Sequence, residues 1–225
     1  MADAGAQTIT IDLDGGARVS GLWLRPAKAR LCLLLAHGAG AGMAHKSMTA
    51  LAEGLAARGV ATVRYQFPYM ERGSRRPDAP ALAHAAVRAA CAKAAGLAGK
   101  LPLFAGGKSF GGRMTSQAQA ARPLSGVRGL VFFGFPLHPA GKPGVTRADH
   151  LAEVAIPMLF LQGTRDILAE LDLLQPVVKA LGPRARLVLA PDADHSFHVP
   201  AKSGRTDRDT LAGLLDEAVS WMAAN

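Results

Sequence analysis

The chain has 225 residues, of which 49% are hydrophobic and 19% are charged, and this composition excludes an intrinsically disordered protein. Its length favours one domain over residues 1–225 with a sizeable buried core. The 26 Lys and Arg residues outnumber the 17 Asp and Glu residues, so the formal net charge is +9. Such an excess suggests nucleic acid, an acidic membrane surface or an anionic substrate as partner. The basic residues are spread out, however, with Arg75 and Arg76 as the only adjacent pair, which favours a solvated surface without a nucleic-acid or membrane partner.

Targeting signals and metal-ligand patterns are absent from the sequence. The longest apolar runs, such as residues 31–36, are far shorter than the ~20 residues that span a bilayer. The start, Met1-Ala2-Asp3, has no basic segment followed by an apolar one, so we expect no signal peptide. Cys32 and Cys91 are the only cysteines and lack metal-ligand spacing. They predict buried, reduced thiols, no metal site and a cytoplasmic protein.

The hydrophobic pattern predicts a hairpin followed by alternating strands and helices. Residues 8–13 and 17–24 alternate between apolar and polar around a turn at 14–16, which is typical of an antiparallel hairpin. Further along, short apolar runs alternate with helical stretches, which predicts a mostly parallel sheet with helices on both faces, an α/β fold. The predicted strands are 31–36, 60–65, 101–106, 130–134, 158–163 and 186–190, and the predicted helices are 47–58, 82–97, 110–121, 168–181 and 210–222. Ligands of such sheets bind at the carboxyl ends of the strands.

The strongest motif is the string G-K-S-F-G at 107–111, which joins a predicted strand to a predicted helix. In this context it is typical of a nucleophile elbow, a sharp turn that lifts the Ser109 hydroxyl clear of the sheet. The glycines allow close approach of neighbouring backbone, and the N–H of Phe110 begins the helix. The alternative is a glycine-rich strand–helix turn that binds phosphate.

A nucleophilic serine needs a base and a carboxylate that orients the base. His195 follows the last predicted strand in a short polar loop and is the favoured base, with His198 as a rival. Asp166 follows the preceding strand and is the favoured carboxylate, although it could also be a helix N-cap. Asp194 is a weaker candidate because a carboxylate seldom points at the imidazole of the next residue. The chain order nucleophile, carboxylate, base (Ser109, Asp166, His195) is one of the orders known for such triads.

Small residues fill the loop at 36–42, A-H-G-A-G-A-G, directly after the first central strand. Such a loop can bring its backbone close to a reacting carbonyl oxygen, and we expect the N–H of Ala39 to form an oxyanion hole with the N–H of Phe110. A phosphate-binding loop and a dinucleotide-binding turn are the alternatives. A phosphate-binding loop would be followed by Gly-Lys-Ser/Thr, which this sequence lacks at that point. A dinucleotide-binding turn would need its third glycine at a different position.

At this point the chain resembles the α/β-hydrolase superfamily, through H-G at 37–38, G-K-S-F-G at 107–111, G-T-R-D at 163–166 and D-H at 194–195. It is similar to the small, lid-poor, dienelactone-hydrolase-like proteins, but has serine where those hydrolases have cysteine. The segments 67–71, 137–143 and 203–206 resemble a narrower branch that is related to a domain in a subunit of a chromatin-acetylating complex. The first resemblance implies an α/β-hydrolase fold without a cap domain, and the second implies that such domains can serve assembly.

These observations predict a serine hydrolase that cleaves a small acyl ester through an acyl-enzyme, without metal or organic cofactor. The alternative is a catalytically silent binding module with the same fold. The segment 135–157 is too short for a lid, which predicts an open site for small acyl substrates. The predicted wall residues are Met43, Tyr69, Met70, Phe135, Leu137, Ile167 and Phe197, and residues that could make the mouth basic are Lys108, His138, Lys142 and Arg205. The sequence leaves the oligomeric state open.

Overall fold

A central sheet of eight strands organises residues 5–225, the part of the chain that the structure, a computed structural model, describes. The strands are β1 (Gln7–Asp12), β2 (Arg18–Leu24), β3 (Leu31–Ala36), β4 (Val60–Tyr65), β5 (Leu103–Lys108), β6 (Val127–Phe133), β7 (Met158–Gly163) and β8 (Ala185–Ala190). Their order across the sheet is β1-β2-β4-β3-β5-β6-β7-β8. β2 is antiparallel to both β1 and β4, and all other neighbours are parallel. The predicted N-terminal hairpin and mostly parallel sheet are confirmed.

Helices cover both faces of this sheet. They are α1 (Lys46–Ala56), α2 (Pro68–Glu71), α3 (Pro80–Ala98), α4 (Phe110–Ala121), α5 (Leu171–Ala180) and α6 (Asp207–Ala224). Short 3-10 segments are Asp14–Gly16, Thr146–Glu153, Gly182–Arg184 and Ala201–Ser203. Side chains of α3, α4 and α5 belong to the core on one face, and side chains of α1 and α6 belong to the core on the other. Residues 5–225 include no helix with the length and apolar character needed to cross a bilayer.

Strand β3 explains the continuous apolar runs of the sequence. Leu33 and Leu35 pack under α1 and α6, whereas Cys32 and Leu34 pack on the opposite face. Because successive side chains of a strand point to opposite faces, a strand covered on both sides is apolar throughout. Strands β3, β5, β7 and β8 are mutually parallel, so their carboxyl ends lie at one edge of the sheet. This edge carries the loops that bring the site together.

The structure shifts several predicted boundaries. β5 extends two residues beyond the predicted strand, because Gly107 and Lys108 continue the ladder with β6. α5 begins at Leu171 instead of residue 168, since the preceding residues form a loop that is held by Asp166. α6 begins at Asp207 because the Thr206 side chain caps the helix by accepting a hydrogen bond from the Asp209 N–H. The helix α2 was not predicted from the sequence.

Gly163, the last residue of β7, permits a close backbone contact that matters for the site. A Cβ atom at this position would lie 2.5 Å from the carbonyl oxygen of Asp194 and closer still to that of Ala193. Neither atom belongs to a flexible side chain, so both would have to move with the backbone. Gly163 therefore fixes the position of the chain that leads directly into His195.

Replacing Gly163 by alanine should lower the free energy of unfolding by about 1–3 kcal/mol, because the added methyl group overpacks two carbonyl oxygens. Gly213→Ala is the matched control: it lies in α6 with nothing within 4 Å of the added Cβ. It should raise the free energy of unfolding by about 0.5–1 kcal/mol. Urea denaturation of both variants measures the difference. Equal stability of the two variants would contradict the close packing at Gly163.

Candidate active site

Ser109 is the single residue between β5 and α4. Its backbone has φ 50° and ψ −118°, a conformation that non-glycine residues rarely adopt, and its N–H donates to the carbonyl oxygen of Phe133. The turn needs glycine at 111, where a Cβ would lie 2.5 Å from the carbonyl oxygen of Ala36. The sequence therefore holds a strained serine against the end of the sheet, with its side chain directed away from the strand ladder.

The structure brings Ser109, His195 and Asp166 into one hydrogen-bonded row. His195 Nε2 lies 2.8 Å from Ser109 Oγ, and His195 Nδ1 lies 2.6 Å from Asp166 Oδ2. The acceptor at Nδ1 is a carboxylate, so the neutral imidazole holds its proton on Nδ1 and presents Nε2 as the acceptor toward the serine hydroxyl. This is the arrangement in which an imidazole can remove a proton from a hydroxyl group.

Asp166 is buried and fully engaged. Its Oδ1 accepts a hydrogen bond of 2.8 Å from the N–H of Leu168, while Oδ2 accepts from Gln162 Nε2 as well as from His195. Gln162 in turn accepts from the N–H of Phe135 through its Oε1. The buried amide of Gln162 is a partner that the sequence analysis missed, because a single glutamine within an apolar strand carries no distinctive signal.

The two rival residues from the sequence analysis have other partners. Asp194 Oδ1 accepts from the N–H groups of Ser196 and His198, so its carboxylate closes a local turn. His198 is exposed and pairs with Asp207 at 2.9 Å, and this carboxylate raises the pKa of His198. The structure therefore places Asp166 and His195, and neither rival, next to Ser109.

The loop after β3 brings Ala39 to the cleft beside Ser109. Phe110 is the first residue of α4, where its N–H has no acceptor within the helix. Tyr69 holds the loop from below, since its hydroxyl accepts from the N–H of Gly40 at 3.3 Å. Both backbone groups thus lie at the rim of the cleft.

His37 anchors the same loop from the protein interior. Its Nε2 accepts from the N–H of Phe67 at 3.1 Å, so the proton must be on Nδ1, which donates to the carbonyl oxygen of Gly38 at 2.8 Å. The ring is fully buried, and this burial lowers the pKa of His37 to about 4. A neutral His37 therefore links the oxyanion loop to the chain that follows β4.

Lys108, directly before the serine, supports the histidine loop. Its Nζ donates to the carbonyl oxygen of His195 at 2.9 Å and lies 5.0 Å from the centre of the Phe197 ring. Burial lowers the pKa of Lys108, although Asp166 and Asp194 raise it. This lysine thus lines the cleft, as predicted, and in addition holds the backbone at His195.

The predicted wall residues require a correction, because none of them lines the cleft around Ser109. Tyr69, Phe135, Leu137 and Phe197 are buried in the two cores, Met43 and Met70 are partly buried elsewhere, and Ile167 is exposed. The physical reason is that large apolar side chains near strand ends complete the sheet packing. The walls are formed instead by Pro77, Pro80, Met114, Pro136 and Leu168.

Of the four residues predicted to make the mouth basic, Lys108 lines the larger lobe of the cleft and the other three lie elsewhere. His138 is buried against Glu170, Arg205 lines a separate groove beside α6, and Lys142 is an exposed loop residue outside the cleft.

The cleft has two lobes that share Ala39, Ser109 and Leu168. One is about 380 Å³ and reaches Arg113 and Arg147, and the other is about 710 Å³ and reaches His45, Lys46 and His198. Among residues 5–225, no three His, Cys, Asp or Glu side chains gather as ligands for a metal ion.

A mostly parallel sheet with a serine on a sharp strand–helix turn defines an α/β hydrolase. The family model described as the alpha/beta hydrolase domain matches residues 29–223, so the chain belongs to this family. Similar solved structures include a dienelactone hydrolase from Anabaena variabilis, with a TM-score of 0.75 and 22% identity over 98% of each chain. A serine hydrolase without a lid from Xanthomonas campestris has a TM-score of 0.74 and 22% identity over 96% of this chain and 94% of its own. The esterase domain of a Rhodothermus marinus protein has a TM-score of 0.72 and 17% identity over 96% and 97%.

The histidines should titrate in a clear order. His37 and His150, whose pKa burial lowers to about 4, should stay neutral at pH 5, whereas His198 should be protonated below a pKa raised above 6.5. NMR spectra of the histidine rings, recorded between pH 4 and pH 8, measure this order. Single His→Gln variants assign each signal to its residue.

Stability should depend on pH in the same range. The unfolded chain binds protons at His37 below about pH 6.5, so the free energy of unfolding should fall as the pH drops from 6.5 to 4. Protonation of His37 at pH 6 would contradict its role as a buried acceptor.

Proposed function

We propose that the protein is a serine esterase that hydrolyses small acyl esters through an acyl-enzyme, with Ser109 as nucleophile. The observation that carries the proposal is the row of hydrogen bonds from Ser109 Oγ to His195 Nε2 and from His195 Nδ1 to Asp166 Oδ2. Ser109 is strained, precedes a helix and is hydrogen-bonded to His195. The buried carboxylate of Asp166 fixes the tautomer of that histidine. A catalytic triad has this geometry.

Acylation begins when His195 Nε2 removes the hydroxyl proton of Ser109 as Oγ attacks the ester carbonyl carbon. The developing imidazolium is stabilised by the carboxylate of Asp166, which lies 2.6 Å from His195 Nδ1. The oxyanion accepts hydrogen bonds from the N–H groups of Phe110 and Ala39, and such donors contribute about 3–4 kcal/mol each to the transition state. His195 then donates the proton to the leaving alkoxide as the tetrahedral intermediate collapses to the acyl-enzyme.

Deacylation repeats these steps with water. His195 removes a proton from the water molecule that attacks the acyl-enzyme, and the second tetrahedral intermediate uses the same backbone donors. The proton returns from His195 to Ser109 Oγ as the carboxylic acid leaves. This cycle consumes one ester and one water and restores the free serine, so the chain's own residues account for every proton transfer.

The open cleft supports small substrates. The connection from β6 to β7 carries only the 3-10 segment Thr146–Glu153, and both lobes of the cleft open to solvent beside Ser109. The similar structures named as a dienelactone hydrolase and an esterase domain favour ester chemistry over amide or peptide cleavage. Their reactions are those of the named proteins and serve here as support for the class of substrate.

A fluorophosphonate probe should label the wild-type protein at Ser109, because the base-activated hydroxyl attacks the phosphorus atom. Ser109→Ala and His195→Ala should abolish labelling, and both should lower kcat for p-nitrophenyl acetate by roughly 10³-fold or more. Intact-protein mass spectrometry measures labelling, and absorbance of nitrophenolate measures turnover.

Ser116→Ala is the matched control for these variants. Ser116 Oγ also contacts a histidine, His150, at 2.8 Å, but it is fully buried and donates its own proton to the carbonyl oxygen of Arg113. Its replacement should leave labelling at Ser109. Folded wild-type protein that takes up no probe and hydrolyses no ester would reject the esterase and favour the catalytically silent binding module.

A further inference from the structure

The smaller lobe of the cleft ends at two arginines that form no ion pair with any acidic residue in the described range 5–225. Arg113 follows Ser109 by one helical turn on α4, and Arg147 lies in the 3-10 segment before β7. Both side chains line the 380 Å³ lobe that also reaches Ser109. We call this lobe the arginine pocket. Neither guanidinium forms an ion pair or a side-chain hydrogen bond among the described residues, and Arg113 Nε is buried without a partner.

The one acidic residue among those that line this lobe has other partners. Asp78 borders the arginine pocket, but its Oδ1 accepts from Arg72 at 2.7 Å and its Oδ2 accepts from the N–H of Tyr69 at 2.8 Å. Both oxygens are therefore in use, and the carboxylate is buried behind these contacts. Within residues 5–225, no carboxylate forms an ion pair with either arginine of the pocket.

The pKa values of groups in and beside the arginine pocket reflect its positive charge. Burial lowers the pKa of Arg113, and repulsion from Arg147 lowers it further. Burial also lowers the pKa of His150 and of His84, and the charge of Arg113 contributes to both shifts. Half-buried like charges that stay together without a counter-ion are costly unless a ligand supplies the opposite charge.

We propose that Arg113 and Arg147 form a carboxylate-binding subsite, so that the preferred substrates are small esters with a carboxylate on the part that occupies the arginine pocket. This inference rests on the esterase function proposed above. Planar guanidinium groups match the two oxygens of a carboxylate, and charge-assisted hydrogen bonds of this kind are stronger than neutral ones. Between Ser109 and the arginines the walls are apolar, with Met114, Pro136 and Leu168, which fits a short hydrocarbon spacer.

The volume of the arginine pocket limits the spacer. A lobe of about 380 Å³ lies at the small end of the range for ligand sites, so it suits an acyl or alcohol group of a few carbons with a terminal carboxylate. Since the two lobes meet at Ser109, the other part of the ester would extend into the larger lobe or into solvent.

Two matched pairs of esters test the subsite on each side of the ester bond. On the acyl side, mono-p-nitrophenyl glutarate is compared with p-nitrophenyl pentanoate; on the alcohol side, 4-acetoxybenzoate is compared with phenyl acetate. In at least one pair, kcat/KM should favour the carboxylate ester by roughly ten- to a hundredfold. The preference should shrink as salt concentration rises, because the ions screen the arginines.

Arg113→Gln and Arg147→Gln should each remove most of that preference, and the second variant serves if the first fails to fold. Arg205→Gln is the matched control: it removes one positive charge from the separate groove beside α6 and should keep the preference. Equal kcat/KM within both pairs in the wild type, or the same loss in Arg205→Gln, would overturn the subsite. Turnover of the neutral esters in that case would leave the esterase proposal intact.

Free glutarate tests the subsite without turnover. Its addition to the wild-type protein should shift the Nε–H NMR signals of Arg113 and Arg147, and Arg147→Gln should weaken its binding roughly tenfold or more. Such shifts in a protein that hydrolyses no ester would retain a carboxylate site on a binding module. If the signals do not move and no carboxylate ester is preferred, the arginine pocket has no such role.

Discussion

The Ser109 hydroxyl is available only because the chain turns from β5 into α4 within a single residue. That turn requires a serine at φ 50°, a glycine at 111 that lets the backbone touch the end of β3, and a hydrogen bond to the carbonyl oxygen of Phe133 at the end of β6. The last two of these supports come from β3 and β6, the parallel neighbours of β5. The strain of such a conformation, about 1–3 kcal/mol, is therefore offset by the sheet itself.

Buried polar groups then fix the loops that surround the serine. Asp166 is held at the end of β7 by backbone, amide and imidazole groups that hydrogen-bond both of its oxygens. His37 stays neutral, and its single proton and single acceptor each have a backbone partner. In both cases burial without partners would be costly, so the loops have few alternative positions. The histidine and the oxyanion loop are thus held ready before any substrate binds.

The site residues that lie at the ends of strands could be predicted from the sequence. Ser109, Asp166, His195 and Ala39 each lie in the turn or loop that follows an apolar strand, and parallel strands place their carboxyl ends together. The residues that line the cleft could not be predicted, because an apolar residue such as Phe135 has the same sequence pattern whether it faces a cleft or fills the core. Charged residues posed the same difficulty. Nothing in the sequence distinguishes Arg113, which faces the cleft, from Arg205, which does not.

A site without a lid must obtain its selectivity from fixed groups, since no closing segment can add contacts after the substrate binds. Most walls around Ser109 are apolar and discriminate weakly, because one methylene group changes binding by only about 1–3 kcal/mol. Charge discriminates more strongly when it is partly removed from water. The net charge of +9 is therefore less informative than its distribution. Surface arginines such as Arg58 and Arg186 have carboxylate partners, whereas Arg113 and Arg147 face the cleft and have none in the part of the chain that the structure describes. A small part of the excess charge is thus placed where it can select a substrate.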